Sequence, residues 1–550
     1  MNMNMTPQPP RCTHFAPTGW SVFCWARSCT LLGARFWARF WAVFWAVFWA
    51  VYPNAPRALQ AAREGRVTLR AVEQPGGQLV PVRMHLRDRR GRPVRPPRVP
   101  FWHDHFVFNG ELTLELKPGR YQFEMERGPE YRTLSGEFTI SRNSGDTHDL
   151  EMRRFVDMKK EGWWSGDLHV QRKLKDVELL MRAEDLHVAP VISWWNENNL
   201  WKNRDVPDPP LVRFDNHRYF RPLAGKDARQ AGTLLFFNLS QPLELPGSKA
   251  RFPEFPTPLT YLQSARNFPD AHVDIEKPFW WDVPLWITTG LVDSIGLLNN
   301  HMGRKKQIPN EAWGKPRDKL LYPNPHGNGR WSQHIYYQIL NCGLRIPPSA
   351  GSASGVSPNP LGYNRVYVYC GKQLTWRRWW DGLRAGRVIV TNGPLLRPRV
   401  NGQLPGHIFQ ATAGETVRLR ASLKLSLRDK VDYLEVIKNG KVEHEVRLDQ
   451  YARSGGRLPE LEFHESGWML IRAVSNYGQS YRLGSSGPYY VEIGKRPRIS
   501  RQAAQFFLDW VQQRIAKIES KKLENAAAIL SHQQQAERFW QTFVDQATAP

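Results

Sequence analysis

The chain has 550 residues, including 42 Pro, 41 Gly and 23 Trp, and its 76 basic residues exceed its 51 acidic residues to give a formal net charge of +25. This length predicts about three or four domains of roughly 150 residues each, and the many turn-forming and aromatic residues favour β-rich, loop-rich domains over a helical bundle. The basic excess either attracts anions such as phosphate, sulfate or acidic glycans or is spread over solvated faces. The sequence carries no nucleic-acid motif and no dense Lys/Arg run, so we do not expect nucleic-acid binding.

Residues 1–61 have the features of a signal peptide or a membrane anchor. The uncharged apolar run 40–52 follows Arg35 and Arg39, and it has the length of a signal-peptide core but is short for a membrane span. We therefore expect export to the periplasm, the cell envelope or the extracellular space, with membrane contact only through this segment. A retained anchor is the alternative.

Residues 62–153 alternate with the period of strands and predict a small β-sandwich of immunoglobulin-like or transthyretin-like type. Segments 112–116 and 121–125, separated by Pro118-Gly119, predict a hairpin. The loop His103-Asp104-His105 contains metal-ligand residue types, but we expect a packed or surface loop there.

Residues 154–398 alternate strands with helices, which is typical of a barrel or a parallel sheet. A helix is predicted at 177–185, and strands at 188–192, 272–276, 295–299, 365–369 and 387–391. Sites in such folds gather at the carboxyl ends of the strands. Residues 203–260 are Pro-rich and aperiodic, so we expect a long loop over the mouth.

Residues 399–497 predict a second β-sandwich, in which Asn439-Gly440 is a strong type I′ hairpin signal. Residues 498–550 have the apolar spacing of amphipathic helices. We expect these helices to dock on the body of the protein, with a partner interface as the alternative. Cys342 and Cys370 either pair or stay free, since their spacing defines no disulfide framework.

The run Gly166-Asp167-Leu168-His169-Val170-Gln171 is the most informative motif. A His-x-His at the end of a strand places two imidazoles on one face, and two imidazoles with a carboxylate form the core of a divalent-metal site. Gln171 stands at the second position, and its amide oxygen is a poor ligand for a transition metal. The motif therefore indicates a metal hydrolase or a descendant of one.

Four blocks, in this order, give the central third a resemblance to the CehA/McbA family of metallohydrolases in the polymerase-and-histidinol-phosphatase (PHP) superfamily. They are Gly166-Asp167-Leu168-His169, Ala183-Glu184-Asp185-Leu186-His187-Val188-Ala189-Pro190, 341–355 and 383–394. The resemblance implies a multidomain α/β plus all-β protein: a distorted PHP-type α/β barrel flanked by two β-sandwich domains, with helices at the C-terminus. It also implies metal-activated water that attacks an ester or phosphoester bond.

The family's metal ligands are mostly replaced in this sequence. His169 matches the first histidine of the opening motif, whereas Trp194-Trp195 replaces an Asp-His pair and Lys277-Pro278 replaces a His-Pro. The closing Asp-x-His is replaced within 350–355. Only His169 clearly survives from the expected ligand set.

The remaining candidates follow from their positions near strand ends. Metal-ligand candidates for Zn, Mn or Fe are His169, Asp167, Gln171, Glu276, Asp293 and His301, with Asp282 as a further carboxylate. Asp167 could instead orient a metal-bound His169 as an acceptor or cap the next turn. Substrate-binding candidates are Trp194, Trp195, Asn196, Lys277, Trp281, Asn300 and Arg345.

Three hypotheses remain open. The first is an exported hydrolase that keeps one weakened metal centre and attracts an anionic substrate through Lys277 or Arg345. The second is a non-catalytic PHP-like protein whose Trp-lined pocket binds a glycan or another small, possibly anionic, ligand. The third is a structural envelope protein in which the barrel is only a scaffold.

Overall fold

The computed structural model describes residues 64–245 and 253–550. The predicted signal peptide or anchor at 1–61 lies outside these residues, so export stays a prediction. Among the described helices, none combines the length and the apolar character that a membrane crossing requires. The fold is mixed α/β, with several β-sheets and eight α-helices in the described ranges.

The N-terminal region consists of two sheets that share one apolar core. Its strands are β1 Gly65–Gln74, β2 Gln78–Leu79, β3 Pro81–Arg87, β4 Phe101–Trp102, β5 His105–Asn109, β6 Glu111–Leu116, β7 Gly119–Glu126, β8 Leu134–Ile140 and β9 Gly145–Arg153. One sheet has the order β2-β1-β6, with β9 also pairing β1, and the other has the order β4-β5-β3-β7-β8. Val67 and Leu69 of one sheet pack with Val82 and Met84 of the other.

The predicted hairpin between 112–116 and 121–125 is wrong, although both strands exist. Strand β6 pairs with β1, whereas β7 pairs with β3 and β8. The turn at Pro118-Gly119 therefore carries the chain from one sheet of the sandwich to the other. A short turn between two strands cannot by itself tell pairing within a sheet from crossing between sheets.

The central region alternates strands with helices. Its strands are β10 Trp163–Gly166, β11 Val188–Trp195, β12 Asn198–Asn199, β13 Val212–Phe214, β14 Arg218–Arg229, β15 Gly232–Phe237, β16 His272–Ile275, β17 Ser294–Leu298, β18 Pro348–Ala350, β19 Arg365–Tyr369 and β20 Val388–Thr391. Its helices are α1 Val177–Ala183, α2 Pro258–Ala265, α3 Val283–Thr288, α4 Gly327–Asn341 and α5 Trp376–Arg384, beside 3₁₀ turns at Lys159–Glu161 and Leu174–Asp176.

The parallel pairs of this region align the strand ends that carry the candidate site. Strand β11 runs parallel to β10 and β14, and β17 runs parallel to β16 and β18. The ladders of the described residues do not close into a barrel. Between the last parallel strand and the first, the link is a single bridge from Val170 to Ser354, with Leu168 N–H donating to Ala350 O at 3.0 Å.

The prediction of one long loop over 203–260 is wrong for the middle of that range. Strands β14 and β15 form an antiparallel pair there and are almost entirely buried. Pro222, Lys226 and Asp227 interrupt any apolar alternation in β14, so the periodicity that marks a half-exposed strand is lost when both faces are covered.

The C-terminal β region contains strands β21 Leu395–Val400, β22 Ile408–Ala411, β23 Val417–Leu419, β24 Ala421–Ser426, β25 Val431–Lys438, β26 Lys441–Arg447, β27 Leu461–Phe463, β28 Gly467–Ser475, β29 Leu483–Ser486 and β30 Tyr489–Ile493, with helix α6 Leu448–Arg453. The predicted hairpin is confirmed: Asn439 and Gly440 both have positive φ, and β25 pairs antiparallel with β26. The predicted boundary at 398 cuts through β21, and β20 pairs with β29, so a sheet continues across it.

The two predicted C-terminal helices are α7 Arg501–Glu519 and α8 Ala526–Asp545. Their apolar faces join the central core through Phe507, Trp510 and Trp540. The Trp540 indole N–H donates to Pro284 O at 3.1 Å. The docking that the sequence predicted is therefore confirmed.

Candidate functional site

Four of the predicted site residues come together where parallel strands end. His169 follows β10, Glu276 and Lys277 follow β16, and His301 follows β17. His169 Nδ1 lies 3.2 Å from Glu276 Oε1, and Lys277 Nζ lies 2.9 Å from Glu276 Oε2. All four side chains are buried. The result is a polar cluster centred on the Glu276 carboxylate.

Lys226 is a member of this cluster that the sequence analysis missed. It lies on β14 opposite Trp195, and its Nζ lies 3.9 Å from Glu276 Oε1. Its side chain is 16% exposed, against 5% or less for His169, Glu276 and Lys277, so it is the most accessible cation of the group. Recognising β14 as a strand parallel to β11 would have placed Lys226 at this edge.

The electrostatics keep Glu276 ionised inside the fold. Burial by itself raises the pKa of the Glu276 carboxyl, but the Lys277 and Lys226 ammonium groups hold it well below its usual range. Burial lowers the pKa of Lys277 to about 8, and Glu276 opposes that shift. The ammonium of Lys277 also lies 4.5 Å from the centre of the Trp280 ring. At neutral pH the pair is therefore a buried ion pair.

The ring nitrogens of the two histidines in the cluster have different surroundings. His169 has both ring nitrogens beside internal partners, because Nε2 lies 3.2 Å from Gln171 Oε1 while Nδ1 faces Glu276. His301 places Nδ1 2.9 Å from the carbonyl of Asn310. Burial lowers the pKa of His169 and lowers that of His301 to about 3. His169 therefore has no nitrogen directed to open space for a ligand.

Asp167 holds the loops around the site together. Its Oδ1 accepts the N–H groups of His169 and Ser352 at 3.0 and 2.9 Å, and its Oδ2 accepts the N–H of Gly362 at 2.7 Å. Burial raises the pKa of this carboxyl to about 6. These three contacts go to main-chain groups and not to the His169 ring, so of the two roles that the sequence left open they fit the capping of a turn. Gly351 permits the close approach of this loop, since a Cβ there would lie 2.6 Å from His169 Cβ.

Asp293 and Arg345 are not brought to the cluster. Both precede their strands, β17 and β18, and so lie on the amino side of the sheet. Asp293 Oδ2 lies 2.7 Å from Arg266 Nη2, and Arg345 forms an ion pair with Glu492. These two assignments fail because the sequence shows that a charged residue adjoins a strand but does not show at which end of the sheet that residue lies.

The aromatic and amide candidates are scattered. Trp194 is buried, stacks on Phe236 and is thereby unavailable to a ligand, whereas its neighbour Trp195 is 41% exposed. Trp281 is buried next to the ammonium groups of Lys315 and Lys517.

The predicted polar residues near these tryptophans also divide. Asn196 bonds to the main chain of Ala228. Asp282 binds Arg514 at 2.8 Å and so anchors helix α7. Asn300 keeps a buried Oδ1 without a hydrogen-bond partner in the described part of the chain. Asp282 Oδ2 is likewise buried without a partner among these residues, so Asn196 is the one of the three whose polar atoms are both used.

A second polar cluster lies in the N-terminal sandwich. His85, Asp104 and His105 are buried, and one ligand atom from each lies within 4.8 Å of the others, so the three could hold a metal ion. Both His85 Nδ1 and His105 Nδ1 lie 3.3 Å from Asp104 Oδ1. The loop expectation for Asp104 and His105 overlooked His85, which β3 brings beside them through its pairing with β5.

Cations surround this second cluster. Arg83 Nη1 lies 2.5 Å from His85 Nε2, while Arg87 and Lys305 bind Asp104 Oδ2. A guanidinium can only donate, so the contact with Arg83 makes His85 Nε2 an acceptor and leaves its proton on Nδ1. Burial lowers the pKa of His85 to about 4 and that of His105 to about 3. The three groups thus have the residue types of a metal site and the hydrogen bonds of a self-contained cluster.

Cys342 and Cys370 are both free cysteines. Burial raises the pKa of each thiol. Neither is therefore an activated nucleophile.

Comparison with known proteins gives little. No protein-family model matches the chain, and no curated protein matches it. Among solved structures, a pilus-presented adhesin (Cpa) has 14% identity and a TM-score of 0.14, covering 17% of this chain and 28% of its own. The Bacillus anthracis TIE protein has 15% identity and a TM-score of 0.14, covering 20% of each chain. Fibronectin(III)-like modules of Clostridium thermocellum CbhA have 14% identity and a TM-score of 0.13, covering 24% of this chain and 63% of theirs.

Proposed function

We propose that this chain is a PHP-like α/β protein in which an internal lysine replaces the metal, so that the site binds a small anionic ligand without hydrolysing it. The observation that carries the proposal is the contact of 2.9 Å between Lys277 Nζ and Glu276 Oε2. The carboxylate that would ligate a metal already has a cation beside it. His169, the surviving family ligand, has both nitrogens next to Glu276 and Gln171.

The arrangement of strands supports the barrel that the resemblance implies. Parallel pairs run from β10 to β14 and from β16 to β18, and the antiparallel strand β15 connects the two sets. The bridge between Val170 and Ser354 lies where a barrel would close. The candidate site lies at the carboxyl edge, where barrel and open α/β folds carry their sites.

The charge of the cluster supports an anion as the ligand. Two ammonium groups face one carboxylate, so the cluster has an excess of one positive charge while its histidines stay neutral. Lys226 is partly exposed and could donate to a phosphate, sulfate or carboxylate group that approaches from solvent. The formal charge of +25 would raise the local concentration of such ligands.

Elemental mass spectrometry of the full chain separates this proposal from the hydrolase hypothesis. We expect His169→Ala to leave the metal content of the protein unchanged, and we expect no ester or phosphoester hydrolysis in either protein. About one Zn, Mn or Fe ion per chain that disappears in His169→Ala would overturn the proposal and support a weakened hydrolase centre.

Titration calorimetry with inorganic phosphate tests whether the site binds an anion. We expect saturable binding that falls at least tenfold in Lys226→Met. Lys430→Met removes a surface ammonium elsewhere and is the matched control, since Lys430 is 76% exposed. Equal loss in both variants would indicate only general attraction to a basic surface.

A divalent metal at His85, Asp104 and His105 is a second proposal, favoured by the convergence of these three groups. The same elemental measurement tests it: the metal would persist in His169→Ala and disappear in the double variant His85→Ala/His105→Ala. A metal-free wild-type protein would assign the cluster to hydrogen bonding alone.

A further inference from the structure

A cavity of about 230 Å³ lies apart from both polar clusters, along helix α5. Its lining includes Trp376 and Trp380 from one face of that helix, Arg221 from β14 and Asn238, which follows β15. Sites for drug-sized ligands occupy about 300–1,000 Å³. The cavity therefore suits a ligand of a single ring.

Trp376 gives the cavity a fixed aromatic wall. Its side chain is half-buried, and its indole N–H donates to Asn238 Oδ1 at 3.0 Å. The Trp380 ring meets it edge-on, with centroids 5.6 Å apart and an interplanar angle of 62°. These two contacts fix the plane of the Trp376 ring before any ligand arrives, which lowers the entropic cost of stacking.

The unused polar atoms of the lining are donors. Trp380 Nε1 and Arg221 Nε are buried and have no hydrogen-bond partner within residues 64–245 and 253–550. Trp380 is only 1% exposed. Both nitrogens are covered by protein atoms, so a ligand in the cavity would contact Arg221 through other atoms of its guanidinium.

The charged groups of the lining favour a ligand with negative charge. Arg221 donates to Leu239 O at 2.7 Å, and across the described ranges no carboxylate lies within ion-pair distance of it. Arg377 and Arg384 share the Asp381 carboxylate at 3.7 and 3.6 Å, both longer than a hydrogen bond. Three guanidinium groups thus face the carboxylates of Asp270 and Asp381.

We propose that this cavity binds one acidic sugar unit, a pyranose ring that carries a carboxylate or sulfate. The apolar C–H face of the ring packs on Trp376, and the anionic group accepts hydrogen bonds from the Arg221 guanidinium. Asp381 is an exposed carboxylate of the lining that suits ring hydroxyls. The site is separate from the Lys277 cluster, so the inference does not depend on the function proposed above.

Saturation-transfer NMR and calorimetry on the full chain test this site with sodium D-glucuronate as the probe. We expect saturable binding, with at least a tenfold loss of affinity in Trp376→Ala and in Arg221→Gln. Lys430→Met, which removes a surface ammonium outside the cavity, should bind glucuronate like the wild type, which separates this cavity from general attraction to a basic surface. Circular dichroism checks that each variant is folded.

A neutral sugar and a carboxylate without a ring test which class of ligand the cavity binds. D-glucose should bind at least tenfold more weakly than glucuronate if the guanidinium groups matter, and acetate at least tenfold more weakly if the Trp376 wall matters. Equal binding of acetate and glucuronate, or unchanged binding in Trp376→Ala, would overturn the sugar site. If Trp376→Ala does not fold, Arg377→Gln decides instead, because that side chain is 91% exposed and should still lower the affinity severalfold.

Discussion

Lys277 and Glu276 are adjacent in sequence, and their charged ends meet at 2.9 Å in a site where both side chains are 5% exposed or less. A buried carboxylate is costly unless a cation or hydrogen-bond donors compensate it. Here the cation comes from the chain itself. This relationship explains how the fold keeps a charged carboxylate in a buried position.

Removal of the Lys277 charge should strongly destabilise the protein. In Lys277→Met the buried Glu276 carboxylate loses its nearest cation, and breaking such a pair from one side costs about 3–5 kcal/mol. We expect a loss toward the lower end, because Lys226 stays 3.9 Å away. Denaturant unfolding measures it.

Lys430→Met is the matched control, because the Lys430–Asp432 pair is largely solvated and should be worth less than about 1 kcal/mol. Equal effects of the two substitutions would contradict a charge-compensating role for Lys277.

The His85 cluster should make the protein sensitive to acid. The pKa of His85 is lowered to about 4 and that of His105 to about 3, so the folded chain keeps both rings neutral where the unfolded chain binds protons. Stability should therefore fall as the pH drops from about 6.5 toward 4.

His85→Gln should reduce that fall by up to about 3 kcal/mol, at about 1.4 kcal/mol per pKa unit. Unfolding curves between pH 7 and 4 measure the difference. His464→Gln, at a side chain that is 71% exposed, should leave the profile unchanged. A parallel shift of both variants would argue against the cluster as the source.

Asp274 should make the stability of the protein depend on pH in the opposite direction from the His85 cluster. Burial raises the pKa of this carboxyl to about 7, and Ser294 Oγ donates to it at 2.5 Å. The folded chain therefore keeps Asp274 protonated where the unfolded chain has released its proton, and stability should fall as the pH rises from about 4 to 7.

In Asp274→Asn this part of the fall, at most about 4 kcal/mol, should vanish, since an amide does not titrate. Asp146→Asn changes an exposed aspartate and is the control for the same pH series. Identical slopes for the wild type and Asp274→Asn would show that this carboxyl is ionised in the fold.

Gly225→Ala should destabilise the core by about 1–3 kcal/mol or more. A Cβ at position 225 would overlap the Trp194 ring, so either the ring or β14 must move. Gly145→Ala is the matched control, because a Cβ there meets no atom within 4 Å. Thermal unfolding of the two variants compares them, and equal stability would mean that Trp194 repacks at no cost.

Local periodicity predicted most strands that have one exposed face and both amphipathic helices. It found β1 and β25, the Asn439-Gly440 turn, and the helices α7 and α8. It failed for β14 and β15, where burial on both faces removes the alternation. The pairing of β6 was also lost, because a turn does not specify which sheet the next strand joins.

The sequence placed His169, Glu276, Lys277 and His301 near strand ends, and parallel pairing of those strands brings them to one edge. It could not supply Lys226 or exclude Asp293, because the end of the sheet that a loop occupies depends on strand direction. It could not join His85 to Asp104 either, since β3 and β5 meet only through their register.

Residue chemistry and short-range spacing by themselves determined the basic charge and the mixed α/β and β character. The tertiary structure alone decided which charges meet. Lys277 compensates Glu276, and Arg221 and Trp380 meet at one cavity, because long-range strand pairing and burial set distances between residues that the sequence leaves far apart.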